Sequence, residues 1–187
     1  MEIYTVGHST HTKDEFLKLL HDAEIEKLVD VRAFPGSRKF PHFHEECMKK
    51  WLPAHDVEYE HVRELGGRRR KSKTVDSTVN DAWNNQSFHN YADYTLTSDF
   101  LEGIQHVTDE AINKRIAICC SERHPARCHR LLISNWLAFH GWNVKHIIDG
   151  AEEKTLIENH ELGKWGAYPV IENDGMVTYP LQTEENN

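Results

Sequence analysis

The sequence predicts an α/β protein built on a mainly parallel sheet of about five strands with helices on both faces. Three observations carry that prediction. Short β-rich runs alternate with amphipathic helical segments through most of the 187 residues, no internal repeat or linker interrupts them, and polar clusters fall directly after four of the strand-like runs. In a parallel sheet those strand exits share one edge, where open α/β sheets place their ligands.

Residues 2–6 alternate and are β-rich, with Gly7-His8-Ser9 as the exit turn. Thr12 to Glu15 reads as a capping box ahead of Phe16, Leu19 and Leu20 at helical spacing, which predicts a helix over 13–23. Lys27 to Arg32 forms a second strand that exits through Asp30 and Arg32 into a loop containing Pro35, Gly36 and Pro41. Residues 44–52 place Cys47, Met48, Trp51 and Leu52 on one helical face, and Pro53 ends that helix. Val57 to Val62 is a third strand leaving through Glu64-Leu65-Gly66-Gly67. Residues 68–87 are polar, basic and aperiodic, the pattern of a mobile binding loop. Helices are expected over 88–95 and 98–107, the second with Ser98 as its cap. Arg115 to Cys120 is a continuous apolar strand, and Pro125 opens a helix that carries Leu131, Leu132, Trp136 and Leu137 inward. Gly141 ends that helix before a fifth strand over 143–148; residues 151–163 look helical, and the remainder a short strand or loose tail.

The length and a 39% apolar content suit one domain spanning residues 1–187. No run approaches the roughly 18 apolar residues that cross a bilayer, and Met1 leads straight into a strand-like segment, so a cytoplasmic protein is expected. Cys47, Cys119, Cys120 and Cys128 make no disulfide framework; the adjacent pair should face opposite sides of a strand, Cys119 as a small core residue. A formal charge of −8 opposes polyanion binding over the whole surface. Cations nonetheless concentrate at Arg63, Arg68, Arg69, Arg70, Lys71 and Lys73.

The motifs Thr5-Val6-Gly7-His8-Ser9-Thr10, Val29-Asp30-Val31-Arg32, Glu64-Leu65-Gly66-Gly67, Cys120-Ser121-Glu122-Arg123 and Cys128-His129-Arg130 form an ordered set. In that order they resemble the bacterial family catalogued as domain of unknown function 488, over a core of about residues 1–150. The resemblance implies an α/β sheet and the position of a site, and leaves the reaction open. The extension over 151–187 and the basic run at Arg68 to Lys73 look peculiar to this chain.

Cys128-His129-Arg130 should occupy the first turns of a helix, where free N–H groups and the dipole attract anions. Arg130 would grip a phosphate or carboxylate, or else pair with Glu122 or Asp30 and brace the loop. Cys120 at a strand end and Cys128 near a helix start are candidate low-pKa thiols. Phosphatase loops, however, place five residues between Cys and Arg where Cys120 and Arg127 enclose six, so structural cysteines are the expectation. Cys120, His124, Cys128 and His129 are acceptable metal ligands, but a Cys-x-x-Cys pair is missing, and neither metal nor cofactor is expected.

Asp30, Glu122 and Asp93 can direct water or stabilise a sugar cation, with His8 for proton transfer. The basic run followed by Trp83, Phe88, Tyr91 and Tyr94 mixes cations with stacking surfaces, as single-stranded nucleic acid binders do. The leading expectation is therefore an enzyme on a nucleic acid or nucleotide, a hydrolase of an N-glycosidic bond resembling a DNA glycosylase. Its catalytic residues would be Asp30, Glu122 and His8. Substrate would be held by Ser9, Arg32, Arg68, Arg69, Arg70, Tyr91, Cys120, Cys128, His129 and Arg130. The alternatives are a thiol- or metal-dependent enzyme on a small anionic metabolite, and a non-catalytic nucleic-acid binding module.

Overall fold

A computed structural model of the chain describes residues 1–182, so the last five positions of the 151–187 extension lie outside the described residues. The strands are β1 (Glu2–Gly7), β2 (Lys27–Asp30), β3 (Glu58–His61), β4 (Ile116–Cys120), β5 (Asn143–Asp149) and β6 (Thr155–Asn159). They form one sheet in the order β3-β2-β4-β1-β5-β6. Every pairing among β1–β5 is parallel, and β6 closes one edge antiparallel to β5. The parallel α/β sheet expected from the alternation is therefore present, with a sixth strand added.

The helices are α1 (Lys13–Asp22), α2 (Glu45–Trp51), α3 (Gln86–Tyr94), α4 (Ser98–Ala111) and α5 (Arg130–Phe139). Side chains of α1 and α2, among them Phe16, Leu20, Met48 and Trp51, bury Tyr4, Val6, Leu28, Ala117 and Cys119 on one face of the sheet. Side chains of α3, α4 and α5, among them Tyr91, Phe100, Ile104, Leu131 and Trp136, bury Ile3, Val29, Ile116, Ile118 and Cys120 on the other. The period-2 alternation of side chains along β4 thus splits the two adjacent cysteines between two cores.

Thr12 caps α1 with the reciprocal bonds of a capping box, its Oγ1 accepting from Glu15 N–H while Glu15 accepts from Thr12 N–H. Four expectations need correction. Thr97, not Ser98, caps α4, because its Oγ1 is the oxygen in reach of the Phe100 N–H. Pro125 opens only a short 3-10 turn, Pro125–Arg127, and α5 starts at Arg130, leaving Cys128 and His129 in the junction. Residues 151–163 form no α-helix: Thr155–Asn159 satisfies the free backbone groups along β5, a gain that outweighs weak helical patterning.

The fourth correction concerns the 68–87 stretch, which is tethered rather than a free excursion. Asn80 is buried, donating to Asp93 at 2.8 Å and accepting from the Tyr179 N–H at 3.0 Å. Tyr179 follows a small hairpin, β7 (Val170–Ile171) and β8 (Val177–Thr178), and its ring lies 5.4 Å from that of Trp83. Asp93 is thereby committed to this anchor. Among the described residues no helix is long and apolar enough to cross a membrane.

The β1–β4 pairing continues past both strands, His8 N–H donating to Cys120 O and Ser9 N–H to Ser121 O, each at 2.9 Å. Gly7 makes this extension possible, because a Cβ there would lie 1.8 Å from the Glu122 carbonyl oxygen. Backbone on both sides leaves no side chain to swing aside. Gly7→Ala is expected to cost about 3 kcal/mol, the upper end of ordinary overpacking. Urea denaturation would read this as a lowered midpoint at unchanged slope, and a wild-type midpoint would refute the close approach.

Candidate active site

Parallel pairing puts Gly7 level with Cys120 and Asp30 level with Cys119, so the exits of β1, β2 and β4 open together. After β1 the chain enters α1 on one face and runs toward β2; after β4 it enters α5 on the opposite face and runs toward β5. This divergence between neighbouring strands leaves a crevice. A cavity of about 480 Å3 occupies it, lined by Cys120 and Glu122, by Cys128, His129 and Tyr91, and by His8 and Arg32. Arg68, Arg127 and Phe34 stand at its exposed margin, Phe34 with 73% of its surface open.

Two thiols and an imidazole meet there. The Sγ atoms of Cys120 and Cys128 and the Nδ1 of His129 all lie within 4.8 Å of one another. The 3-10 turn carries Cys128 into place, its N–H donating to Pro125 O at 3.0 Å. His129 Nε2 lies 2.9 Å from the Val31 carbonyl, which can only accept, so the ring proton resides on Nε2. Nδ1 consequently turns its lone pair to Cys128 Sγ at 3.7 Å and Cys120 Sγ at 4.0 Å. Arg130 Nε donates to Cys128 Sγ at 3.4 Å.

The two thiols differ because of these neighbours. Burial alone would push Cys128 up, but the Cys120 hydrogen bond and the Arg130 guanidinium outweigh it and hold the thiol below its ordinary value. Cys120 moves the opposite way, because it donates to Cys128, is itself buried and would have to ionise beside an anion. Cys119 is pushed well up by burial in the other core, in keeping with an inert structural thiol.

Asp30 is placed differently from the expectation of a water-directing carboxylate. It is 0% exposed and lies outside the cavity lining. Its oxygens accept from Arg32 Nε at 2.9 Å, Arg32 Nη2 at 2.6 Å and Tyr59 Oη at 2.7 Å. Arg32 extends the brace by donating from Nη1 to His8 Nε2 at 3.3 Å. His8 donates from Nδ1 to the Ser9 carbonyl at 3.0 Å, so its one lone pair is spent on Arg32. Burial, then the Arg32 charge, hold His8 down to about 4, leaving it neutral near pH 7.

The other expected residues divide. Glu122 lines the cavity and is exposed, whereas Ser9 lies outside the lining in a left-handed turn with φ 47°. Arg68 faces the cavity. Arg69 does not: it stacks 3.6 Å above the Tyr94 ring and donates to the carbonyls of Gly66, Arg63 and Glu64. Arg70 is exposed and outside the lining. Tyr91 contributes a ring wall while its hydroxyl donates to Leu65 O at 2.7 Å. Arg130 is 1% exposed, so instead of gripping ligand it binds Cys128, Thr5 and the Glu122 carbonyl from within. Phe34, which lines the cavity, has no periodicity or motif to mark it, and Arg127, also in the lining, is weighed in the sequence only through its spacing from Cys120.

Of the four candidate ligands, His124 turns away, its Nδ1 accepting from Ala126 N–H and its ring edge-on to Trp165. Cys120, Cys128 and His129 remain close together, but the Arg130 guanidinium that donates to Cys128 Sγ sets a permanent cation against them, which opposes a metal cation there. A second acidic cluster, Glu60, His106 and Glu110, already holds the Lys27 ammonium, with contacts of 2.6 and 2.5 Å to the two carboxylates.

A family model described as "Domain of unknown function DUF488" matches residues 12–137, about two thirds of the chain. No curated protein and no solved structure matches it.

Because Asp30 and Arg32 are buried as a pair, removing one charge strands the other. Asp30→Asn is expected to lower stability by about 3 kcal/mol, the scale for breaking a buried ion pair. Urea denaturation would show the loss, and an unchanged midpoint would free Asp30 from the bracing role.

Proposed function

The chain belongs to the DUF488 family, and from the geometry of the cavity we propose that it is an enzyme that uses the Cys128 thiolate as a nucleophile on a small anionic substrate. The observation that carries this is the contact of the buried Arg130 guanidinium with Cys128 Sγ at the wall of an arginine-lined cavity. A thiolate is the reactive form of cysteine, and a neighbouring cation favours it. Arg68 and Arg127 at the margin supply charge for a phosphate or carboxylate, and the exposed ring of Phe34 beside Arg68 offers a stacking face. A nucleotide combines both features, which retains the nucleotide class of substrate.

The chemistry is displacement in two steps. The sulfur forms a bond to the electrophilic atom as the leaving group departs with its electron pair. Water then attacks the thio-linked intermediate, its proton passing to Glu122 and on to solvent, and the thiolate is restored.

A second reading keeps hydrolysis of an N-glycosidic bond, favoured by the Glu122 carboxylate at the cavity. It no longer draws on Asp30, and Glu122 alone would direct water.

The exposed Cys47 is an internal reference for a labelling test. Cys128 is expected to react with iodoacetate at about pH 6, where an ordinary thiol is protonated, and to prefer that anion to iodoacetamide. Site-resolved mass spectrometry should show the anion preference falling several-fold in Arg68→Ala and Arg127→Ala. Labelling of Cys47 before Cys128 at that pH would overturn the nucleophile reading. Turnover of nucleotide substrates surviving in Cys128→Ser but lost in Glu122→Gln would instead favour glycosidic hydrolysis.

A further inference from the structure

Arg130 is buried without a carboxylate partner among the described residues, and its second guanidinium arm leads into a hydrogen-bonded path through the protein. Nη1 lies 3.4 Å from Thr5 Oγ1, and Thr5 Oγ1 lies 2.7 Å from His146 Nδ1. His146 Nε2 is 3.0 Å from His160 Nδ1, and His160 Nε2 is 2.9 Å from Asn135 Oδ1. Asn135 Nδ2 donates to Tyr179 Oη at 3.0 Å. Thr5, His146, Asn135 and Tyr179 are buried.

Only one direction of donation satisfies every link. The Asn135 carbonyl oxygen at the far end can only accept, so every donor must point toward it, and Thr5, which accepts from Arg130, gives its single proton to His146 Nδ1. His146 then carries its proton on Nε2 and donates to His160 Nδ1. His160 likewise carries its proton on Nε2 and donates to the Asn135 carbonyl oxygen. Both rings must be neutral for this, and both are: burial is the main cause that brings His146 down to about 2 and His160 to about 4. Each acceptor is made available by the next donor along.

We propose that Thr5, His146 and His160 are positioning residues whose one-way hydrogen-bond relay holds the Arg130 guanidinium against Cys128 and so maintains the reactive thiolate. The proposal rests on the nucleophile reading for its purpose, but the relay stands on its own geometry. Thr5 lies on β1, His146 on β5 and His160 just beyond β6, all outside the residues 12–137 matched by the family model. The thiol is therefore governed from parts of the chain distant from it in sequence. The titratable groups facing Cys128 are Cys120 from β4, His129 and Arg130 at the start of α5, and Tyr91 from α3. Of these, Arg130 alone is a permanent cation.

Thr5→Val keeps the shape of the side chain and removes the hydroxyl, and Thr5→Ser restores it. The rate of Cys128 labelling by iodoacetamide, followed against pH, should fall on the order of 10-fold at about pH 6 in Thr5→Val and be unchanged at about pH 9, with recovery in Thr5→Ser. Cys47 labelling and the circular dichroism spectrum should not move. A loss of packing alone would lower the melting temperature without displacing the pH profile, and an undisplaced profile in a folded Thr5→Val overturns the proposal. Nitrogen chemical shifts of the imidazoles in the wild-type protein give a second readout that needs no variant. Nε2–H tautomers at both His146 and His160 support the relay, and an Nδ1–H tautomer at either overturns it. Should the wild-type Cys128 label only with an ordinary thiol profile while both tautomers are as expected, the nucleophile reading fails and the relay's support of Arg130 is retained.

Discussion

The parallel pairing of β1 with β4, carried two residues past the end of each strand, is the constraint from which the cavity follows. His8 and Ser9 donate to the carbonyls of Cys120 and Ser121, and the chain beyond Cys120 crosses directly over Gly7. That contact fixes where the loop from β4 can go and so where Cys128 arrives nine residues into the segment from Cys120 to Cys128. Because α1 and α5 leave for opposite faces, the paired backbones form the base of an opening instead of being covered. A side chain at position 7 would separate the two exits and the groups they carry.

Two arginines are buried beside this opening, and they are neutralised in different ways. Arg32 faces a carboxylate, Asp30, and the pair is closed by Tyr59 and His8. Arg130 has a sulfur, a hydroxyl and a backbone carbonyl around it and, among the described residues, no carboxylate. A buried guanidinium cannot shed its proton, so the balance of charge falls on the group nearby that can. Under the proposed nucleophile reading, Cys128 is that group. The same low-dielectric setting that makes Arg32 a strut gives Arg130, in that reading, the task of favouring a thiolate.

Much of this arrangement was legible in the sequence because it depends on spacing. Strand exits at His8, Arg32, Glu122 and Cys128 were assigned to one edge from the alternation of elements, and parallel pairing brings them there. The capping box at Thr12 and the opposite facing of Cys119 and Cys120 are equally local. What spacing does not encode is the partner of a polar group across the fold. Arg69 reads like Arg68 in a run of cations, yet it stacks on Tyr94 while its neighbour faces the cavity. Asp30 reads as either a water-directing carboxylate or an arginine's partner, and the choice is made only when Tyr59, 29 residues away, joins Arg32 on it. Arg130 meets Thr5 across 125 residues, a contact with no local signature. Strand β6 was missed for a related reason: its form is decided by the open edge of β5, and not by its own pattern.

The paired cysteines of β4 also set where this chain can change length. One residue added to or removed from β4 upstream of them would turn the strand over, presenting Cys119 to the cavity and sending Cys120 into the core against α1 and α2. The strand is intolerant of insertion by parity, independently of how well an extra side chain packs. The stretch from Ser72 to Thr78 obeys no such rule, since its side chains bond among themselves at the surface. A tag or an inserted domain placed there would leave the opening at the sheet edge undisturbed.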